Sequence, residues 1–238
     1  MKKAIIVGAT SGIGRQLAII LAENGYQVGV TGRREELLIE LKALKPDSFV
    51  VSAFDVTNTQ QIPLKLKELS DQLGGLDLLV MSSGTGEINP LLEQDIERYT
   101  NEVNVAGFTA VADWAFNFFE HHASGHFAAI TSIGGIRGSR QAPAYFASKA
   151  YQINYLEGLT QKAKKTKLPI YITDVRPGFV DTAMAAGENI FWMATVEKAA
   201  KQIFNAIKRK KNVVYVTKRW RPIAFIFRLL PGFLYKRM

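Results

Sequence analysis

Seven short runs rich in Ile, Val and Phe punctuate this chain, and each is followed by a longer segment of helical period. The runs are KAIIV (3–7), YQVGV (26–30), SFVVSAF (48–54), LDLLV (76–80), HFAAITS (126–132), PIYITDV (169–175) and NVVYV (212–216). Helices are expected between them at roughly 13–24, 34–44, 58–73, 92–119, 144–165 and 195–209. Strand and helix in strict alternation is the pattern of an α/β fold, a doubly wound and mainly parallel sheet of about seven strands with helices on both faces. With 238 residues and 47% hydrophobic composition, one large domain over 1–217 is expected, followed by a tail at 218–238.

The chain has no cysteine, which excludes a disulfide framework, a thiolate metal site and a cysteine nucleophile. Its opening, MKKAIIVGATSG, begins like a secretory signal, but the apolar stretch ends at Thr10 and is too short for one. A buried parallel strand accounts for the same residues. No run of about 20 apolar residues occurs, so a bilayer-spanning helix is not expected and a cytoplasmic location is. The net charge of +9 is concentrated at the end: residues 208–238 hold ten Lys or Arg and no acid, and the other 207 sum to −1. A nucleic-acid-binding role for the whole domain therefore finds no support.

The sequence VGATSGIGR leaves the first strand and opens the first helix, placing Gly8, Gly12 and Gly14 on the turn with Thr10, Ser11 and Ile13. Glycines there permit a tight turn and close backbone approach, and the free N–H groups of a helix N-terminus favour a pyrophosphate. A glycine-rich turn with no ligand is the plainer alternative. The second strand ends in TGRR. Gly32 stands where an NAD-selecting chain carries a carboxylate, and Arg33, with Arg34 beside it, offers a guanidinium to a 2′-phosphate. NADP(H) is thus expected in preference to NAD(H).

Six motifs in one order, GATSGIG, DVT (55–57), NVAG (104–107), TSIGG, YFASK and RPGFVDT (176–182), resemble those of the short-chain dehydrogenase/reductase family over essentially residues 1–217. By this resemblance Asp55 and Val56 would meet the adenine. Pro177, Gly178, Val180 and Thr182 would line the nicotinamide side, and Ser83 and Gly84 the cofactor cleft. The catalytic set would be Ser132, Tyr145, Lys149 and Asn104, with Tyr145 and Lys149 also touching cofactor. No metal is implied, and a homodimer or homotetramer built on the two longest helices is. The chain departs from the family at MSSG (81–84), where Asn-Asn-Ala-Gly is common, and at Val7, where Thr is common.

Tyr145 and Lys149 lie four residues apart, on one helical face. A cation about 4 Å from a phenol, at an effective dielectric near 20, is worth roughly 4 kcal/mol, enough to bring the phenol from ~10 toward ~7. The resemblance then implies a carbonyl–alcohol oxidoreductase. Ser132 holds the carbonyl oxygen, Tyr145 supplies its proton as general acid/base, Lys149 stabilises tyrosinate and the ribose, and Asn104 supports the proton path by positioning water. Enoyl reduction is disfavoured, because the position seven before Lys149 is Ala142 rather than Tyr. An epimerase is disfavoured by the short C-terminal region. A non-catalytic dinucleotide sensor or scaffold of the same fold is the alternative from another class.

Substrate choice should fall on AMAAGENIFWM, where Met184, Ile190, Phe191, Trp192 and Met193 suggest an apolar lid over a lipophilic small-molecule carbonyl or alcohol. The histidines of HHASGH suit helix capping better than metal binding, since no carboxylates accompany them. The tail, KRWRPIAFIFRLLPGFLYKRM, interleaves basic and apolar residues. It fits a peripheral anionic membrane surface, a neighbouring subunit, or a cover over the substrate cleft.

Overall fold

The computed structural model describes residues 1–184 and 192–237. Seven strands form one parallel sheet: β1 (Lys2–Val7), β2 (Tyr26–Gly32), β3 (Phe49–Ala53), β4 (Leu78–Met81), β5 (Gly125–Ile130), β6 (Ile170–Pro177) and β7 (Val213–Val216). Their order is β3-β2-β1-β4-β5-β6-β7, and every pair is parallel. The winding reverses between β1 and β4, which opens a crevice beyond their C-terminal ends.

Strand periodicity divides the core in two. Ile5, Val7, Leu79, Met81, Phe127 and Ala129 point to one face, where they meet α3 (Ile62–Leu73), α5 (Phe108–His121) and α6 (Pro143–Thr166). Ala4, Ile6, Leu78, Val80 and Ala128 point to the other and meet α1 (Gly12–Glu23), α2 (Glu35–Leu44) and α7 (Val196–Lys208). Burial on both faces explains why the central strands read as continuous apolar runs.

Three expectations are refined. The third helix begins at Ile62 rather than 58, because residues 55–61 close turns from Asn58 N to Asp55 O and from Gln61 N to Asn58 O, and a proline sits in the first helical turn. The helix expected at 92–119 is α4 (Gln94–Asn101), a π-helical segment (Glu102–Gly107) and then α5. Such widened turns recur at functional sites, and Asn104 lies within this one. Finally, the tail forms α8 (Trp220–Leu229) and α9 (Gly232–Tyr235). Among the described residues no helix is long and apolar enough to cross a membrane.

Candidate active site

The turn between β1 and α1 is shaped by what a side chain would strike. A Cβ at Gly14 would lie 2.0 Å from the Gly8 carbonyl oxygen, and one at Gly8 would lie 2.5 Å from Ser83 N. Gly8 and Gly12 also have φ of +96° and +54°, the left-handed region that favours glycine. The Val7 carbonyl accepts both Ser82 N and Ser83 N at 2.8 Å, so MSSG ties β4 to the glycine loop. Ile13, in the first turn of α1, packs on the α1 face of the sheet.

Gly32 lets β2 approach this loop, since a Cβ there would lie 2.6 Å from Thr10 Cγ2. Arg34 donates to Thr10 Oγ1 at 2.7 Å and to Ser11 Oγ at 3.1 Å. Arg33 turns the other way, hydrogen-bonding Tyr99 and lying 3.9 Å from the Asp55 carboxylate. The two arginines therefore have separate stations, and it is Arg34 that reaches the loop. Asp55 also accepts Thr57 N at 2.9 Å. Val56 is buried with its carbonyl close to Gly107, where a Cβ would come within 2.6 Å of it. A tight glycine turn at a helix N-terminus, two hydroxyls and a guanidinium together form a donor set suited to a phosphorylated dinucleotide.

Ser132, Tyr145, Lys149 and Asn104 converge from the end of β5, from α6 and from the π-helical segment. Ser132 hydrogen-bonds the Tyr145 hydroxyl and accepts Gly134 N at 2.9 Å. Asn104 is fully buried: its Oδ1 accepts Thr85 N at 2.9 Å, and its Nδ2 donates to Thr85 O at 2.6 Å and to Ser148 Oγ at 3.0 Å. Lys149 donates to Ile130 O at 3.2 Å and to Gln152 Oε1 at 3.0 Å. Gly84 keeps the space beside this group open, because a Cβ there would stand 3.3 Å from Lys149 Nζ.

One electrostatic expectation is corrected. Burial pushes the Tyr145 phenol above its ordinary value, and the Ser132 hydrogen bond only partly opposes this. Burial also lowers Lys149 to about 8, with the Asp174 carboxylate acting in the opposite sense. The lysine sits 5.8 Å from the tyrosine ring centroid and gives its hydrogen bonds to Ile130 and Gln152. Burial is the larger influence on the phenol, which is held protonated at neutral pH.

The segment after β6 runs beside Gly12, where a Cβ would lie 3.2 Å from Thr182 Cγ2. Val180 forms a parallel bridge with Ala194. Pro177 closes β6, and Gly178 N donates to Val216 O at 2.6 Å. Gly178 also abuts the Trp220 indole, and Trp220 meets Phe179 and Trp192 edge-on at centroid distances of 5.6 and 5.9 Å. Of the expected lid, Met184 and Trp192 are exposed and Met193 is half-buried, whereas Ile190 and Phe191 lie outside the described residues. The tail covers this side: Arg137, beyond Ser132, donates to the carbonyls of Phe227 and Leu230 at the end of α8.

Several contributors carry no motif. Gly86 is one, because a Cβ there would lie 2.2 Å from Tyr145 Cδ2. Gln152 and the buried Asp174, whose Oδ2 lies 2.6 Å from Nε of Arg176, are others. An unexpected Gln or charge inside an apolar periodicity was the available signal. Among the described residues no cluster of potential metal ligands occurs, and His122 closes α5 by bonding Phe118 O at 2.8 Å.

Comparison with known proteins gives a consistent result. The family model described as short chain dehydrogenase matches residues 2–191. An uncharacterised oxidoreductase of Staphylococcus aureus (strain USA300) is 32% identical over 191 residues, covering 79% of this chain and 82% of its own. One from Mycobacterium tuberculosis (strain CDC 1551 / Oshkosh) is 29% identical over 246 residues, covering 99% and 96%. Among solved structures, a short chain dehydrogenase from Burkholderia cenocepacia J2315 in complex with NADP superposes with a TM-score of 0.84 at 22% identity, over 100% of this chain and 98% of that one. ElxO with NADP bound gives 0.79 at 22% identity, over 90% and 96%. At these identities the structural likeness establishes the fold.

Proposed function

Because the chain belongs to the short-chain dehydrogenase family of oxidoreductases, we propose that it interconverts a carbonyl and an alcohol on a lipophilic small molecule, using NADP(H) in preference to NAD(H). The observation that carries this reading is the meeting of Ser132, Tyr145, Lys149 and Asn104 beside the glycine loop. When bound, the dinucleotide supplies or accepts the hydride. The Ser132 hydroxyl hydrogen-bonds the substrate oxygen, and the Tyr145 hydroxyl, held protonated by burial, gives that oxygen its proton. Lys149 lies close enough to stabilise the resulting tyrosinate. Phe179, Trp192 and Trp220 furnish an aromatic wall, which supports an apolar substrate.

The test is NADPH consumption across a panel of ketones and aldehydes, comparing wild type with Tyr145→Phe. Turnover by the wild type and its loss, by about a hundredfold or more, in the variant is the expected outcome. Cofactor binding without turnover on any member of the panel would replace this reading with a dinucleotide sensor.

The tail supports association with an anionic lipid surface. Phe225, Ile226, Leu229 and Phe233 are 63%, 59%, 64% and 64% exposed, while Trp220 and Ala224 face inward. Basic residues surround the apolar face and no acid occurs from 208 onward, so a second copy would bring like charges together whereas anionic headgroups would neutralise them. Vesicles containing phosphatidylglycerol should sediment the protein, those of phosphatidylcholine alone should not, and Phe225→Ser/Leu229→Ser/Phe233→Ser should abolish the effect. Concentration-dependent self-association that the triple variant loses, with no vesicle binding by the wild type, would assign the face to a second copy.

A further inference from the structure

Gln152 lies one turn beyond Lys149 on α6 and is 1% exposed. A buried primary amide must satisfy both ends of its side chain, and this one does so with two groups of the candidate active site. Its Oε1 accepts Lys149 Nζ at 3.0 Å, and its Nε2 donates to the main-chain carbonyl of Asn104 at 2.8 Å. That carbonyl belongs to the π-helical segment Glu102–Gly107. The widened turn and the amide fit one another: one presents a carbonyl toward α6, and the other spans from it to the ammonium.

We propose that Gln152 is a positioning residue of the reductase centre, a fixed amide bridge that holds the Lys149 ammonium in register with the Asn104 turn. The inference rests on the carbonyl–alcohol reading of the site. The family resemblance implies water beside Asn104, and here a side chain provides a direct link from its carbonyl to the lysine. An amide is oriented and carries no charge, so the bridge fixes direction without transferring a proton itself. It also favours the charged lysine, whose burial otherwise works against ionisation. The other titratable groups around the ammonium are Tyr145 on the same helix and Asp174 on β6, the latter paired with Arg176 and hydrogen-bonded by Thr131 at 2.6 Å.

Two substitutions of similar volume separate this role from simple packing. Gln152→Leu removes the acceptor from Lys149, and its titration should fall by about half a unit to one unit. Gln152→Glu places a carboxylate there, and the titration should rise by about one unit or more. Lysine-specific carbon-13 NMR, with the Lys149 resonance assigned by its absence in Lys149→Met, reads the titration without any turnover. In the pH profile of kcat/KM the corresponding limb should move in the same two directions, with kcat reduced about tenfold or more in Gln152→Leu and NADPH affinity changed by less than about threefold. Opposite NMR shifts in the two folded variants support the bridge even when no substrate has been found. An unmoved Lys149 titration in both overturns it, whatever their activity. Opposite NMR shifts accompanied by an unchanged kcat and pH profile overturn the positioning role while leaving the contact.

Discussion

Arg34 lays its guanidinium 2.7 Å from the Thr10 hydroxyl, joining the exit of β2 to the glycine loop, while the neighbouring Arg33 turns away to Tyr99 and Asp55. A 2′-phosphate held in that corner would gain charge-assisted bonds worth about 1.5–3 kcal/mol, or roughly ten- to a hundredfold in affinity. Arg34→Ala should therefore weaken NADPH by at least about tenfold and NADH by less than about threefold. Arg33→Ala should show the same preference at smaller size, because Arg33 stands farther from the loop. Fluorescence titration with both nucleotides measures this, and equal losses for the two would refute a phosphate clamp.

Gly86 packs flat against Tyr145, and a methyl there would overlap the ring at 2.2 Å from Cδ2. Relief requires moving the phenol or the loop after β4. Gly86→Ala should reduce kcat by about tenfold or more through misplacement of the proton donor. The glycine loop and Arg34 are untouched, so NADPH binding should persist. A variant with wild-type kcat would mean that the ring need not occupy this position during turnover.

The sheet was legible because its central strands are buried on both faces and announce themselves as apolar runs, as in KAIIV and LDLLV, while the partly exposed edge strands β3 and β7 keep a Val-rich composition. The glycine loop was legible for a related reason, since Gly8 and Gly14 tolerate no Cβ. What the sequence hid depends on contacts between distant elements. Gln152 gains meaning only when α6 meets the π-helical turn, and nothing local in EVNVAG distinguishes that turn from α-helix. The tyrosine expectation failed for a physical reason: helical spacing brings Lys149 near Tyr145, but it carries no information on how completely both are removed from water. The tail's basic and apolar pattern was plain, whereas its anchoring by Arg137 was not.

His126 provides a pH-dependent element away from the active site. It is buried on β5, 2.8 Å from Thr173 Oγ1, and burial, assisted by the nearby Lys210 charge, lowers it from 6.5 to about 4. Because its folded value lies below its unfolded one, the unfolded chain binds the proton first as pH falls. The stability it contributes is complete above about pH 6.5 and is lost as pH drops toward 4, by up to about 3 kcal/mol. Urea denaturation at pH 7.5, 5.5 and 4.5 should show a steeper acid loss in wild type than in His126→Gln. Parallel curves would exclude His126 as the source.

Asp174 and Arg176 sit on β6 at 5% and 9% side-chain exposure, joined Oδ2 to Nε at 2.6 Å, with Thr131 Oγ1 donating to Asp174 Oδ1 at 2.6 Å and Arg176 Nη1 donating to the Tyr215 hydroxyl at 3.2 Å. Two opposite charges buried this deeply recover little net energy from each other, since each has lost its water, but either one left alone is costly. Asp174→Asn should therefore destabilise the fold by about 3–5 kcal/mol, because the guanidinium would remain buried without a counter-charge. Replacing both, as Asp174→Leu/Arg176→Leu, should cost less than that single change. Equilibrium urea unfolding of the three proteins at pH 7.5 measures the comparison. A double variant less stable than Asp174→Asn would show that the pair holds β6 and β7 together through more than mutual compensation of charge.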